Sequence, residues 1–267
     1  MSHSDFEALD AGAVAAVLGE LAGQFSLVVV PECDSTNSRL METPADDDGR
    51  IAVLAADRQT AGRGRRGRSW LSWPGAGLTF SLRWHFMPAP HMPAGLSLVV
   101  GLAVARMLEE LGVEGVQLKW PNDVLIRGKK LAGILVELSS SRGRPPAAVI
   151  GIGLNLRLPA DAQVESATGV TDLAACLAAP PGPNRLLGLL LGQLHHFLDL
   201  YAAAGFPALR AAWQQRNAFA DLPVRILGEA QELAGTCAGV DDDGALLLDT
   251  PEGRRRVLSG EVSLRLA

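Results

Sequence analysis

Apolar side chains recur at helical spacing along some stretches of the chain and cluster into short runs along others. Leu9, Ala13, Val17 and Leu21 follow one another at intervals of one helical turn, which predicts an amphipathic helix over residues 9–21. Further helices are predicted over residues 93–111, 183–204 and 207–217. Short segments rich in apolar and β-branched residues predict strands at residues 25–30, 51–56 and 78–84.

The middle of the chain predicts a meandering sheet. Strands are expected at residues 116–120, 123–128, 130–139 and 147–158, with turn-forming residues between the first three. From residue 222 onward only short strands and turns follow, which is typical of a small antiparallel barrel. We therefore expect an α+β fold: a mixed or antiparallel sheet flanked by helices over residues 1–217, then a small β-barrel over residues 218–267.

The composition fits a globular protein and disfavours a general nucleic-acid binder. The 267 residues are 48% hydrophobic and 20% charged, which is enough for a sizeable core. The net charge is −5 and the pI about 5.6, whereas proteins that bind by neutralising phosphates are usually basic. The three cysteines form no C-x-x-C pair, so neither a disulfide framework nor a thiolate zinc site is expected.

The termini and apolar runs indicate a cytoplasmic protein that does not enter the membrane. Residues 1–10 lack the basic stretch and apolar core of a secretory signal. The longest apolar stretch, residues 95–107, is too short to span a bilayer.

The strongest anion-binding signal lies between Arg58 and Trp70. This segment carries five arginines and no acid, with glycines at positions 62, 64 and 67. Guanidinium groups bind phosphate through paired hydrogen bonds, and glycine lets backbone N–H groups approach an anion. A solvated basic loop is the alternative. Residues 62–67 also match G-x-G-x-x-G, but no apolar helix follows, so the match to a dinucleotide-binding site is weak.

The lysines give a second signal, because only three of the 24 basic residues are lysines and all lie at residues 119–130. A compact ammonium suits a point contact with a phosphate or carboxylate. Lys119, Asn122 and Asp123 surround a predicted tight turn, and Lys130 begins the next strand. Chance clustering, with Asn122 and Asp123 as turn formers only, is the alternative.

Two glycines interrupt an otherwise good strand at Gly151 and Gly153. They indicate either a bulge or the close approach of a ligand or backbone, in which case Asn155 faces the same ligand. Residues 159–172 are polar and lack periodicity, which predicts a loop over a site. The adjacent His195 and His196 point in different directions on a helix and are expected to be surface or core residues.

Five short sequences carry a family resemblance. They are DSTN at 34–37, QTAGRGRRGRSWLS at 59–72, KWPNDVLI at 119–126, KLAGILVEL at 130–138 and IGIGLN at 150–155. In this order and spacing they resemble the biotin protein ligases, and GALLLDT and GEVSLR near the end resemble that family's C-terminal domain. Lipoate ligases share the architecture but are not expected to carry both GRGRRG and KWPND. The resemblance implies a class II synthetase-like catalytic domain and an SH3-like barrel.

The resemblance also implies a reaction and its residues. Biotin and ATP would form biotinyl-5′-AMP, and a lysine of a biotin carboxyl carrier domain would take the biotinyl group. Lys130, Arg65 and Arg63 are the expected catalytic residues. The expected biotin-binding residues are Ser35, Thr36, Asn37, Gln59, Arg63, Gly64, Arg65, Trp70, Lys130 and Gly133. The expected ATP and adenylate residues are Arg65, Arg66, Lys119, Asn122, Asp123 and Asn155. Mg²⁺ is expected to arrive with ATP, without protein ligands.

Two features depart from some family members. Only about 24 residues precede the first predicted strand, too few for a winged helix-turn-helix, so we expect a monofunctional enzyme that does not bind DNA. Residues 159–172 contain no aromatic side chain to stack on adenine. A lipoate or octanoate ligase and a non-catalytic biotin-binding regulator are the competing interpretations. A homodimer through an exposed sheet edge is left open.

Overall fold

The computed structural model describes residues 7–43, 48–86, 94–139, 146–164, 166, 168–228, 232–259 and 263–267. A seven-stranded sheet forms its centre, in the order β1-β2-β3-β7-β6-β5-β4. The strands are β1 Phe25–Cys33, β2 Ile51–Gln59, β3 Gly77–His85, β4 Val116–Lys119, β5 Asp123–Ile126, β6 Lys129–Ser139 and β7 Ala147–Asn155. β1 and β2 are parallel, and all other neighbours are antiparallel.

Five α-helices accompany the sheet: α1 Ala11–Leu18, α2 Thr36–Glu42, α3 Leu96–Glu110, α4 Pro183–Ala204 and α5 Pro207–Gln214. The two sheet faces differ because strand side chains alternate. Ile134 lies 3.7 Å from the position of a Cβ on Gly101 of α3, so the isoleucine rows of β6 and β7 face that helix. The glycines between those isoleucines face α2 and the opposite side of the sheet.

Helix α2 connects the parallel strands β1 and β2. Hydrogen bonds fix both of its ends. Ser35 caps its N-terminus by accepting a hydrogen bond from Ser38 N. At its C-terminus the buried Arg83 of β3 donates to the carbonyls of Leu40 and Thr43. This fixes the orientation of the residues at the start of the helix.

The C-terminal strands form a separate five-stranded antiparallel sheet in the order β11-β10-β9-β8-β12. They are β8 Pro223–Leu227, β9 Glu232–Val240, β10 Leu246–Thr250, β11 Gly253–Val257 and β12 Ser263–Leu266. Its apolar side chains join the core of the larger sheet, and the buried Trp120 donates its indole N–H to Gly244 O at 3.0 Å. The predicted α+β class and small antiparallel β unit are confirmed. The division at residues 217 and 218 stays a prediction.

The predicted elements agree with the structure except at their ends. The meander is confirmed for β4 to β7, whereas β1 and β2 pair in parallel because α2 lies between them. Helix α1 is shorter than expected, since a 3₁₀ helix, Gly19–Gln24, replaces its last turn. Residue 93, where the next helix was predicted to begin, lies outside the described residues. Of the helices that are described, none combines the length and apolar character needed to cross a membrane.

A substitution at Gly244 would probe how tightly the C-terminal sheet packs against the start of α3. Its φ is +74°, and a Cβ there would lie 2.7 Å from the Gly95 Cα. Gly112 has φ +83° with open space around it, so it is a matched control. We expect Gly244→Ala to lower the free energy of unfolding by about 1–3 kcal/mol more than Gly112→Ala. Both variants place alanine in a left-handed backbone conformation, but only the Cβ at position 244 overlaps neighbouring atoms. Equal losses in urea titrations would contradict this packing.

Candidate active site

One pocket on the glycine face of the large sheet gathers every residue that the sequence predicted for the site. It is lined by side chains from α2, the ends of β2, β6 and β7, the β4–β5 turn and the arginine-rich loop. The predicted residues among its lining are Ser35, Thr36, Asn37, Gln59, Arg63, Gly64, Arg65, Arg66, Trp70, Lys119, Asn122, Asp123, Lys130, Gly133 and Asn155. Their convergence is a finding of the structure. Their individual roles stay predictions.

Glycines form the pocket floor because large side chains lie directly on the sheet. A Cβ on Gly153 would overlap the Trp70 ring, and one on Gly133 would lie 3.1 Å from that ring. A Cβ on Gly151 would overlap the amide of Asn37. The pairing of β7 with β3 and β6 continues without a register shift through these positions, so the bulge interpretation is wrong. The glycines admit Trp70 and Asn37 onto the sheet surface.

A buried hydrogen-bond network occupies the end of the pocket nearest α2. Thr36 N donates to Gln59 Oε1 at 2.7 Å, and the Thr36 hydroxyl lies 2.7 Å from the Ser81 hydroxyl. Ser81 in turn donates to Asn37 Oδ1 at 2.6 Å. Ser35, Thr36, Asn37 and Gln59 are all buried. Buried donors and acceptors in fixed positions suit a ligand with a compact polar ring, because an unmatched polar group would be costly there.

The arginine-rich loop closes one side of the pocket. It contains a short 3₁₀ turn, Arg65–Gly67, in which Arg66 has φ +59°. Arg63 donates to Glu137 Oε1 at 2.5 Å and to the Ser38 hydroxyl at 3.0 Å. Arg65 lies 3.4 Å from Asn122 Oδ1 and also donates to the Ser259 carbonyl. These hydrogen bonds connect the loop to α2, to β6 and to the C-terminal unit. They disagree with the interpretation of a freely solvated basic loop.

A carboxylate between two ammonium groups lies next to this loop. Asp123 accepts from Lys130 Nζ at 2.6 Å and from Lys119 Nζ at 3.2 Å. Burial alone would raise the pKa of Asp123, but Lys130 and Lys119 hold it below its usual range. Burial lowers the pKa of Lys119, and Asp123 only partly offsets that effect. The cluster thus sets two lysine side chains against one carboxylate, and Lys130 Nζ lies 5.8 Å from the centroid of the Trp70 ring.

The segment following β7 forms another wall of the pocket. Lys130 N donates to Gly169 O at 3.0 Å, and Thr171 N donates to Lys130 O at 2.9 Å. Asn155 donates its side-chain amide to Thr171 O at 3.0 Å. Leu158, Val164, Ser166 and Val170 line the pocket, which agrees with the predicted loop over a site. The side chains that line the pocket along this wall are apolar or small, and none of the four is aromatic.

Some pocket residues were missed by the sequence analysis. Ser81 and Glu137 join the buried network, and Ser263, Leu264 and Arg265 reach the pocket from the C-terminal unit. Glu137 could have been found, because the alternation along β6 puts it on the same face as Gly133 and Leu135. Arg265 could not, since its position depends on how the two sheets pack.

Sequence and structure comparisons agree on the family. Residues 32–155 match the Biotin/lipoate A/B protein ligase family, and residues 223–265 match the Biotin protein ligase C terminal domain. The chain is 36% identical over 252 residues to the bifunctional ligase/repressor BirA of Escherichia coli, covering 94% of this chain and 77% of that protein. The chain belongs to the biotin protein ligase family. This is the family that the sequence motifs indicated.

Two further members of the biotin protein ligase family support this relationship. The chain is 37% identical to the biotin–[acetyl-CoA-carboxylase] ligase of Mycobacterium tuberculosis, covering 91% of this chain and 90% of that protein. Its fold matches the biotin protein ligase of Aquifex aeolicus solved in complex with biotin and ATP, with a TM-score of 0.79 and 33% identity. That match covers 91% of this chain and 99% of the other.

The pocket offers little to a protein-bound metal ion. Across the described part of this ligase-family chain, no three His, Cys, Asp or Glu side chains converge in a way that could hold a metal. Asp123, the acid that lines the pocket, already pairs with two lysines.

The Asp123 cluster makes a pH-dependent contribution to stability. We expect Asp123→Asn to lower the free energy of unfolding at pH 7 by about 2–4 kcal/mol, because it leaves the buried Lys119 without a partner. Since the pKa of Asp123 is depressed in the folded state, its stabilisation is full above the unfolded value near 3.9 and is lost as pH falls through the folded pKa. The difference in unfolding free energy between wild type and Asp123→Asn should therefore become smaller below about pH 4.

The matched control is Asp249→Asn, which removes an exposed ion pair with Arg254. Its loss of unfolding free energy should be much smaller than that of Asp123→Asn, because solvent screens an exposed pair. Urea unfolding from pH 7 to pH 3 measures both variants. A pH-independent gap for Asp123→Asn would contradict the proposed charge cluster.

Proposed function

We propose that this protein activates biotin with ATP and transfers it to a lysine of a biotin carboxyl carrier domain. The biotin carboxylate attacks the α-phosphorus of ATP, forming biotinyl-5′-AMP and releasing pyrophosphate. The carrier lysine, as a free amine, then attacks the acyl carbon, and AMP leaves. The observation that supports this most directly is the convergence of Arg63, Arg65 and Lys130 on one pocket that also has a buried polar end and an aromatic wall.

The cations overcome the repulsion between the two substrates. A carboxylate and a phosphate held 4 Å apart repel by about 4 kcal/mol for each pair of unit charges at an effective dielectric near 20. Lys130 would contact both the biotin carboxylate and the phosphoryl group, with Asp123 fixing the ammonium position. Arg65 would stabilise charge that develops on the α-phosphate. Catalysis then consists of positioning and charge stabilisation, which needs no acid–base pair.

The biotin rings would occupy the space between α2 and the glycine floor. Ser35, Thr36, Asn37 and Gln59 supply donors and acceptors for the ureido group. Trp70, lying flat over Gly153, supplies an apolar wall for the fused rings, beside Gly133. Gly64 lets the loop backbone approach the ligand.

The nucleotide would bind at the lysine end of the pocket. Lys119, Asn122 and Asp123 would position the phosphates and Arg66 would contact the adenylate, while the Asn155 side chain would face the adenine. Mg²⁺ would enter as the Mg·ATP substrate, held mainly by phosphate oxygens, because the described pocket residues lack a set of free carboxylates. That ion would neutralise charge on the leaving pyrophosphate.

The partners follow from this reaction. The macromolecular substrate would be the carrier domain of a biotin-dependent carboxylase such as acetyl-CoA carboxylase, in the cytoplasm. DNA would not be a partner, given the net charge of −5. A homodimer through an exposed sheet edge stays open. We also propose that residues 1–217 form the catalytic domain and residues 218–267 the C-terminal domain, which would contribute Arg265 to the pocket.

The decisive experiment incubates the protein with biotin, Mg·ATP and an apo carrier domain, followed by mass analysis of the carrier. We expect a gain of one biotinyl group on one lysine. Lipoate and octanoate in place of biotin should support little ATP–pyrophosphate exchange, since neither carries a ureido ring for the buried network. Preferential use of lipoate would favour the lipoate-ligase alternative. Biotin binding without any transfer would favour the regulator.

Lys130 can be tested against its neighbour Lys129, which is exposed and outside the pocket lining. We expect Lys130→Gln to lower the rate of adenylate formation by about 100-fold or more, the usual effect of removing one charge-stabilising donor. Lys129→Gln should stay within about twofold of wild type. Single-turnover formation of biotinyl-5′-AMP measures both. Equal rates for the two variants would contradict the role of Lys130.

A further inference from the structure

Glu137 links two parts of the pocket that are far apart in the sequence. Its Oε1 accepts from Arg63 of the arginine-rich loop at 2.5 Å, and its Oε2 accepts from the buried Asn37 amide of α2 at 2.9 Å. Asn37 is only 3% exposed and is held from its other side by Ser81. One carboxylate therefore joins the proposed ureido-binding network to the loop that closes the pocket.

We propose that Glu137 is a positioning residue that anchors Arg63 and so holds the arginine-rich loop over bound biotin. This inference rests on the proposed function and changes the role expected for Arg63. Its guanidinium donates hydrogen bonds to Glu137 on β6 and to the Ser38 hydroxyl on α2. Arg63 then acts on the substrate through the loop backbone that it anchors.

The position of Glu137 in the sheet supports this role. Along β6, Gly133, Leu135 and Glu137 alternate onto the pocket face, and Gly133 and Leu135 line the pocket while Glu137 lies just beyond them. Its β7 neighbour is Val149, two residues before Gly151, over which Asn37 lies. Glu137 is thus fixed on a rigid strand, with one oxygen toward α2 and the other toward the loop.

A charge argument points the same way. An arginine bonded to a carboxylate at 2.5 Å has its charge largely neutralised, so it attracts a second anion much less than a free guanidinium would. Asp123 faces two lysines, whereas Glu137 and Arg63 form a one-to-one ion pair. The attraction for phosphate is therefore concentrated at the lysine end, and the Glu137 end binds the loop.

The test is a double-mutant cycle with Glu137→Gln, Arg63→Gln and the double variant. Glutamine keeps the size of glutamate but leaves one good acceptor for two donors. We expect each single variant to raise the KM for biotin about five- to tenfold in ATP–pyrophosphate exchange, with kcat at saturating biotin falling less than about twofold. The double variant should be no worse than either single one, because all three lose the same contact.

Two outcomes would overturn the proposal. One is an unchanged KM for biotin in Glu137→Gln. The other is a kcat for Arg63→Gln that falls about 100-fold while Glu137→Gln stays near wild type, since that would place the Arg63 guanidinium on the reacting phosphate. Glu109→Gln is the control for loss of a half-buried ion pair, because it removes a 2.7 Å contact with Arg216 away from the pocket. It should leave both constants unchanged.

A second measurement separates this proposal from the proposed function. Trypsin cuts after accessible arginines, and residues 63–68 contain four arginines, three of which are exposed. We expect Glu137→Gln to increase cutting of this loop several-fold, with no change in the thermal midpoint beyond that of Glu109→Gln. This readout needs no catalysis, so it stands even if the wild-type enzyme uses another acid. Unchanged cutting would count against the anchor.

Discussion

The pocket depends on the placement of Asp123 between two ammonium groups. Without that carboxylate, Lys119 would be a buried cation with no partner and Lys130 would be free to turn toward solvent. With it, both lysine side chains are paired with one buried carboxylate. In the proposed reaction, these ammonium groups offset the repulsion between a carboxylate and a triphosphate. The tight turn between β4 and β5 sets the positions of these groups, and Asn122 secures that turn by donating to Ile134 O at 2.9 Å.

The glycine floor satisfies a second constraint, that a flat ligand must lie close to a sheet. Three positions on adjoining strands, Gly133, Gly151 and Gly153, lack side chains, and Trp70 and Asn37 fill part of that space. The isoleucines that alternate with them lie in the hydrophobic core, so one face of the same strands provides the core and the other provides the pocket. Stability and binding are thus assigned to opposite faces, and the pocket polar groups do not interrupt the core.

The loops that close the pocket are held by residues distant in sequence. Arg63 reaches β6, Arg65 reaches the C-terminal unit, and Lys130 pairs through its backbone with Gly169 and Thr171. Each of these bonds joins segments that are distant in sequence, and the Arg65 bond joins the larger unit to the C-terminal one. The pocket therefore takes its full shape only after both units have folded and packed together. The packing of Trp120 against Gly244 helps to fix that assembly.

The sequence by itself determined the order of helices and strands, the small C-terminal β unit and most of the residues that meet in the pocket, because periodicity, turn residues and short motifs are local. It could not determine that β1 pairs in parallel with β2, nor why Gly151 and Gly153 are needed, since the side chains that overlie them come from distant segments. Glu137 and Arg265 were likewise missed. The alternation along β6 placed Glu137 on the pocket face, but its contacts with Arg63 and Asn37, like the position of Arg265, exist only in the folded structure.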